Sequence, residues 1–588
     1  MKDFLKYVIA TIVGMLLCSI IATVITILSI AGMAASEGTS APIVENTILH
    51  IKLQGTIEER SKDTPLKAFT NNEFEVIGLD KTLEALEKAK ENDKILGVYL
   101  EGGILAATPA MAEELRHALL SFKESGKFIL AYGDSYSKSA YYIASVADRI
   151  MLNPIGNLDW SGMAAQPIFY KELLAKIGIK MQVYKVGTYK SAVEPFICTE
   201  MSDANREQVA SYLGGIWQNM LKDVAASRNM KVESLNALAD SMTLFAATQT
   251  AVDGGLVDTL CYINDVKTIL KEKAGIKDDD NIRFAEVEDV ANAETLKKKA
   301  SDEVAVYYAY GDIVDDRASG MNQDAQICAK DVTKDLQALR EDKDVKAVVI
   351  RVNSGGGSAY ASEQIWHEIT LLKEKKPVVI SMGGMAASGG YYISCEGNII
   401  YAEPTTLTGS IGIFGMIPDA SELMTQKLGL SFDVVKTNSL SDIGSISRPF
   451  NEEESRMVQN AITNGYELFT RRVADGRKMK QDDVKTIAEG RVWTGEQALK
   501  IGLVDKLGDL DEAIAAAAEL ADCKDYAIGT YPAEKPWYQS LLDDGKDTYL
   551  NNQMKSVLGD YYSAFGWLQH INSQNPIQAR MPYELILK

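Results

Sequence analysis

Histidine is scarce in this chain: His50, His117, His367 and His570 are the only four in 588 residues. A nucleophilic serine ordinarily takes its base from histidine. His117 and His367 fall in amphipathic helical patterns and His570 in the C-terminal tail, where a lone histidine is far more often a surface or core residue than a base. A Ser-His-Asp triad is therefore hard to assemble. Cysteine is almost as rare, with six residues at 18, 198, 261, 328, 395 and 523 and no C-x-x-C pair, so neither a zinc site nor a disulfide framework is suggested. No long Lys/Arg cluster occurs, and 61 basic against 81 acidic residues leave a formal charge of -20. That balance argues against a surface tracking nucleic-acid phosphates. No glycine run ends in the Lys-Ser/Thr of a P-loop. Apolar residues make up 46% and charged residues 24%, as in globular proteins rather than disordered ones.

What is present begins at the N-terminus. Tyr7 to Ser36 contains no charge, and its apolar core VIATIVGMLLCSIIATVITILSIAGM exceeds a signal-peptide core in length. The expectation is one membrane-spanning helix, with a short stub and helix together over 1–36. Lys2 and Lys6 precede it and Glu37 follows, so the stub faces the cytoplasm and the body lies outside, on the periplasmic face of a cell inner membrane. A cleaved signal is the competing reading, since GMAAS offers small residues, but the length favours retention.

The rest of the chain contains itself twice. AYYIASVADRIMLNPIGNLDWSG at 140–162 lies over GYYISCEGNIIYAEPTTLTGSIG at 390–412 at a constant offset of 250. ILGVYLEGG resembles KAVVIRVNSGGG, and GGLVDTL resembles IGLVDKLG. Two copies of one domain follow, at 44–295 and 300–530, with a C-terminal tail at 531–588. The charged stretches KEKAGIKDDD and VEDVANAETLKKKASDE are expected to connect them. Within a copy, short β-branched runs such as Val345–Val352 alternate with helical patterns such as ASEQIWHEITLLKEKK, which predicts stacked βαβ units.

The copies diverge where chemistry would matter. At the offset of 250, Lys138 stands opposite Ser388 of SMGGMAASGGYYIS. Aligning Lys185 with Lys436 sets Ser441 opposite Lys190 of VYKVGTYKSAVEPF. One copy offers a serine and the other a lysine, as expected if one site is built from both halves. With histidine so sparse, a Ser-Lys arrangement leads the alternatives. A lysine of ordinary pKa ~10.4 cannot accept a serine proton at neutral pH, and bringing it to ~7–8 needs roughly 4 kcal/mol of burial away from carboxylates. Lys190 has neutral neighbours, Tyr189 and Ser191, although Glu194 must point elsewhere.

Ser388 sits where the predicted strand VVISM turns into a helix, a place where first-turn amides face an oxyanion. The nucleophile-elbow pattern G-x-S-x-G is met only in part, because Ala386 replaces its first glycine. A second glycine cluster, VNSGGGS, follows the strand KAVVIRV. Gly356 and Gly357 are its natural donors to an oxyanion, and a plain turn is the competing reading.

Together RVNSGGGSAYASE, MGGMAASGGYYIS, TLTGSIGIFG and VGTYKSAVEPF resemble motifs of the signal peptide peptidase A (protease IV) family, in its long two-copy form, within the ClpP/crotonase superfamily. The resemblance spans nearly the entire chain. It implies an α/β fold of two tandem ClpP/crotonase-like domains after the membrane helix, and a serine endopeptidase that degrades cleaved signal peptides. Carried onto this sequence, it implies Ser388 as nucleophile, Lys190 as general base, Ser410 as the residue orienting the lysine, and the amides of Gly356 and Gly389 as the oxyanion hole. It also implies peptide substrates, a membrane association, a bowl-shaped homotetramer, and no cofactor, metal or nucleic acid. Where the family usually reads Ser-Pro-Gly-Gly, this chain has Ser354-Gly355-Gly356-Gly357. Two rivals stand against this: a crotonase-type enzyme acting on acyl-CoA, and a non-catalytic membrane scaffold.

Overall fold

The computed structural model describes residues 42–61, 76–241, 244–277, 281–293, 300–316, 325–445, 447–533 and 577–581, with a few isolated positions before them. The expected membrane segment and most of the C-terminal tail lie outside the described residues. Among those described, no helix is long and apolar enough to cross a membrane.

Each half builds a parallel sheet from buried β-branched runs. In the first, the order is Val76–Gly78, Thr47–Glu58, Ile95–Ala106, Phe128–Tyr136, Arg149–Leu158, Thr259–Leu260, with Arg283–Ala285 beside Thr47–Glu58. In the second, Leu407–Gly409, Val378–Ala387, Val345–Ser354, Glu303–Tyr310 and Ala527–Tyr531 run in parallel order, and Val492–Thr494 adds an antiparallel edge. Strands such as VKAVVIRVNS read as continuous apolar runs because helices cover both faces of a parallel sheet.

Fold elements repeat with the motifs. The helices Asp203–Arg228 and Glu452–Arg477 are each 26 residues long, capped by Ser202 and Asn451 side chains. Tyr141 and Tyr391 each donate a hydroxyl to a backbone carbonyl, of Leu256 and Leu503, at 2.9 Å. Arg228 pairs with Asp258 as Arg477 does with Asp505. The paired tyrosines therefore survive in both copies as buried hydrogen-bonded pillars, since an unpartnered buried hydroxyl is costly.

Between the two charged stretches expected to connect the copies, a short strand completes the first sheet. Arg283–Ala285 joins the first sheet, just as Ala527–Tyr531 joins the second. Its polarity marks a sheet edge with one solvated face.

The halves share a core. Met385, Ala387, Leu407 and Val492 of the second pack into the apolar cluster of the first. Above it, fully buried Arg351 bonds Glu59 at 3.0 Å and also reaches Glu114, both from the first half. Asn353 donates to Glu59 at 2.8 Å, fixing the start of the glycine loop to the other half.

Candidate active site

Ser388 closes the strand Val378–Ala387, whose ten residues are all buried, and opens the helix Gly389–Ser394. Its backbone stands at φ 55° and ψ -111°, a conformation that costs a non-glycine residue about 1–3 kcal/mol. The fold holds it there: Ser388 N donates to the Gly409 carbonyl at 2.8 Å, and its own carbonyl accepts from Tyr392 at 2.8 Å. The corresponding turn in the first half is relaxed. There Ser137 caps the helix Lys138–Ala144 at φ -67°, one residue earlier than the sequence offset implies, and Lys138 faces Asp159 at 3.7 Å.

Lys190 arrives from the first half on a strand that crosses over. Lys180–Lys185 pairs antiparallel with Phe414–Asp419 of the second half, and the chain then turns through Lys190 into the short helical turn Ser191–Val193. Gln208 donates to the Tyr189 carbonyl and Ser191 Oγ, each at 3.0 Å, and its own oxygen accepts from Val492. The turn is thus held to both halves. Glu194 points away, its carboxylate receiving Ser202 Oγ at 2.6 Å and Asn205 at 2.8 Å.

The result is a contact between residues 198 apart in sequence, within one chain: Lys190 Nζ lies 2.7 Å from Ser388 Oγ. Nζ also donates to Ser410 Oγ and to the Ser410 carbonyl, each at 3.1 Å. Lys190 is 1% exposed and Ser388 0%, so burial alone pulls the lysine well below its ordinary pKa. Ser410, like Ser388, has a positive φ, 49°. Ser441, opposite Lys190 by alignment, lies in an exposed segment and takes no part in this cluster.

Gly356 and Gly389 lie against each other beside Ser388. Gly356 has φ 103°, and a Cβ there would come within 2.7 Å of Gly389 N, so these two backbones approach as no other residue would allow. The Gly389 amide is the first of its helix and outside the helical ladder. The Gly356 amide rests on Ser354 Oγ at 3.1 Å, a partner that sequence reasoning missed. Also missed were Gly412 and Gly490, which form the wall along the Lys190 stem: a Cβ on Gly490 would sit 2.7 Å from Lys190 Cα and Cβ. The sequence signal for Gly412 was its place in TLTGSIG opposite Gly162, and for Gly490 only an isolated glycine in EGR at 489–491.

Beside Ser388 runs a slot between two strand edges, Gly356–Ser358 and Phe414–Asp419, and the C-terminal strand Ile577–Arg580 lies in it, antiparallel to both. An apolar cavity of about 250 Å³, lined by Gly415, Ile417, Phe450, Val458 and Ala461, opens next to Ile577. His50 and His117 contact glutamates elsewhere, Glu101 and Glu403. Glu113, His117 and Glu403 bring ligand atoms within 4.8 Å of one another between the halves. Burial, then the Glu403 charge, raises the Glu113 carboxyl above the usual carboxylate range.

A serine on a strained strand-to-helix turn, a buried lysine against it and backbone amides alongside, all on stacked parallel sheets, define the class as a ClpP-like serine hydrolase. The family model described as peptidase family S49 matches residues 121–277 and 370–524, and the Clp protease model matches 301–406. Protease 4 of Salmonella typhi is 39% identical over 508 residues, covering 84% of this chain and 80% of that protein. Serine protease SPPA, chloroplastic, of Arabidopsis thaliana is 31% identical over 542 residues, covering 91% of this chain and 78% of that protein. A putative signal peptide peptidase SppA of Enterococcus faecium is 36% identical over 223 residues, covering 38% of this chain and 64% of that protein. The chain belongs to peptidase family S49 and is a serine protease carrying two copies of that family's domain.

Proposed function

We propose that Ser388 and Lys190 are the nucleophile and general base of a membrane-anchored endopeptidase that degrades cleaved signal peptides. The carrying observation is the 2.7 Å contact between Ser388 Oγ and a lysine amine buried away from carboxylates. A neutral amine accepts the Ser388 proton as Oγ attacks the substrate carbonyl. The tetrahedral oxyanion is held by the Gly389 amide and by that of Gly356, which shares its proton with Ser354 Oγ. The ammonium then protonates the leaving amine, and the same lysine deprotonates the water that hydrolyses the acyl-enzyme. Ser410 takes the amine hydrogens at Oγ and carbonyl, which aims the lone pair at Ser388.

An extended slot with an apolar cavity suits hydrophobic peptides, and the charge-free run from Tyr7 to Ser36 would hold the body at the outer face of the inner membrane. A homotetramer is supported by an unmatched pairing. At the offset of 250, the crossing of 180–185 with 414–419 has a counterpart, 430–435 against 164–169, yet both of these segments lack strand partners in one chain. Val435 is 97% exposed and Ile168 65%. A head-to-tail neighbour would supply each edge and close a ring.

The test uses Ser388→Ala and Lys190→Ala with a hydrophobic peptide substrate and a fluorophosphonate probe. Both variants are expected to lose cleavage while staying folded by circular dichroism, and labelling of Ser388 is expected to vanish with Lys190. Retained activity in either variant overturns the dyad. An acyl-CoA enzyme or a scaffold would tolerate both changes. Sizing of the solubilised full chain and protease accessibility of its body in intact cells check the assembly and the membrane side.

A further inference from the structure

We infer that Glu113, His117 and Glu403 form a binding site for one divalent ion of the zinc class, which staples the two halves together. Such a site needs no role for Ser388 or Lys190, and it departs from the family resemblance, which implies no metal.

The donors come from both copies. Glu113 and His117 stand four residues apart on the helix Pro109–Lys123 of the first half, so both project from one face. Glu403 follows the strand Ile399–Ala402 of the second half. One ligand atom from each lies within 4.8 Å of the other two. Two carboxylates and an imidazole are a donor set that zinc and its neighbours in the first transition row accept.

Glu403 is the least expected member. It is fully buried, and neither of its carboxylate oxygens makes a hydrogen bond among the described residues. The cationic group it faces, His117 Nδ1, stands 3.5 Å from Oε2, beyond the ~3.2 Å reach of a good N–H···O bond. A buried carboxylate left in that state is costly, and native structures supply it with a partner. Arg351 cannot serve, since Glu59 and Glu114 already share it. A protonated His117 would match only one of the two carboxylate charges in the cluster, whereas a dication beside a neutral imidazole balances both.

The geometry suits an ion. Donors held at ~2.1 Å in a tetrahedron lie ~3.4 Å apart, a spacing that His117 and Glu403 already show. Glu113 is aimed by Thr405, whose amide and hydroxyl donate to its Oε2 at 3.2 and 2.5 Å, the outer support that ligating carboxylates have. The imidazole is the adjustable member, its side chain being 36% exposed. It borders a cavity of about 200 Å³ in which the carboxylates of Glu87, Glu114, Asp509, Asp511 and Glu512 face the single lysine Lys90. A cation thus has an entry path of matching charge, and water from that side completes its coordination. Because the ligands meet only where the halves join, binding stabilises the joined fold by mass action.

Metal uptake by the purified full chain, first stripped with a chelator, tests this. Equilibrium dialysis against micromolar zinc is expected to load one ion per chain and to raise Tm. His117→Gln and Glu403→Gln are each expected to weaken uptake by about tenfold or more and to remove the zinc-dependent rise in Tm. X-ray absorption at the zinc edge is expected to show oxygen and nitrogen neighbours with imidazole scattering. A wild-type chain that takes up no stoichiometric zinc overturns the inference, since protons alone then hold the cluster. Zinc bound equally well by both variants, or with sulfur among its neighbours, overturns it too, because the ion then sits elsewhere. Uptake without any rise in Tm overturns the staple. Should Glu403→Gln not fold, His117→Gln, changed at a partly exposed side chain, decides alone. Fluorophosphonate labelling of Ser388 reports separately on the dyad, and its failure leaves the zinc result untouched.

Discussion

Gly490 should be intolerant of the smallest possible side chain, for a reason separable from backbone strain. It has φ 79°, and a Cβ there would stand 2.7 Å from the N, Cα and Cβ of Lys190, well inside contact distance of backbone that cannot swing aside. Gly490→Ala therefore brings two penalties. One is the left-handed conformation, about 1–2 kcal/mol for an L-residue. The other is a displacement of Lys190 approaching 1 Å, and misplacement of that order at a reacting group costs about 10²-fold in rate. Gly502 separates them: its φ is 78°, but a Cβ there meets nothing within 4 Å. Both alanine variants are expected to lose stability, a shift of a few degrees in Tm for ~1 kcal/mol, with the larger loss in Gly490→Ala because of its added clash. Only Gly490→Ala is expected to lose kcat on a hydrophobic peptide, by roughly 100-fold, with slower fluorophosphonate labelling of Ser388. Equal kcat in the two variants would refute the claim that Gly490 positions the lysine.

Two further outcomes follow from buried charge. Burial depresses the folded-state pKa of Lys190, so the folded chain binds fewer protons there than the unfolded chain, and stability is lost at neutral pH but regained as pH rises toward the free lysine value of ~10.4. Lys190→Met is thus expected to be inactive yet more stable than wild type at pH 7 in urea titrations, with the gap narrowing on going to pH 10; a pH-independent gap would contradict this. Arg351→Met leaves the Glu59 and Glu114 carboxyls buried without their guanidinium, and a loss of about 3–5 kcal/mol in denaturant unfolding is expected, whereas a loss below ~1 kcal/mol would mean that the clamp between the halves is not structural.

The duplication was legible because its anchors are chemical. Paired tyrosines, Arg-Asp pairs and capped long helices recur at nearly constant spacing, and each satisfies a buried polar group that neither copy can leave unmet. Ser388 and Lys190 were legible through complementary loss, one in each copy. That they meet within one chain was not, because it depends on the pairing of Lys180–Lys185 with Phe414–Asp419, and a strand edge carries no address for its partner. Arg283–Ala285 was not singled out as a strand, because three residues at a solvated edge show too little alternation to identify one. The strand Ile577–Arg580 was hidden for a similar reason: its order comes from two neighbouring edges rather than from its own propensity. The serine turn itself differs by one residue between copies, since Ser388 adopts a strained conformation that Ser137 avoids.

The crossing strand that delivers Lys190 also sets when the chain becomes dangerous. Made from its N-terminus, the polypeptide presents its base first, in a half with no nucleophile, and gains Ser388 only about two hundred residues later. If Ser388 and Lys190 are the reacting pair, neither half is expected to hydrolyse a peptide by itself. On that reading, competence requires Phe414–Asp419 to pair with Lys180–Lys185 across the shared core. On the proposed dyad, division of the reacting pair between two copies ties competence to the joining of both halves.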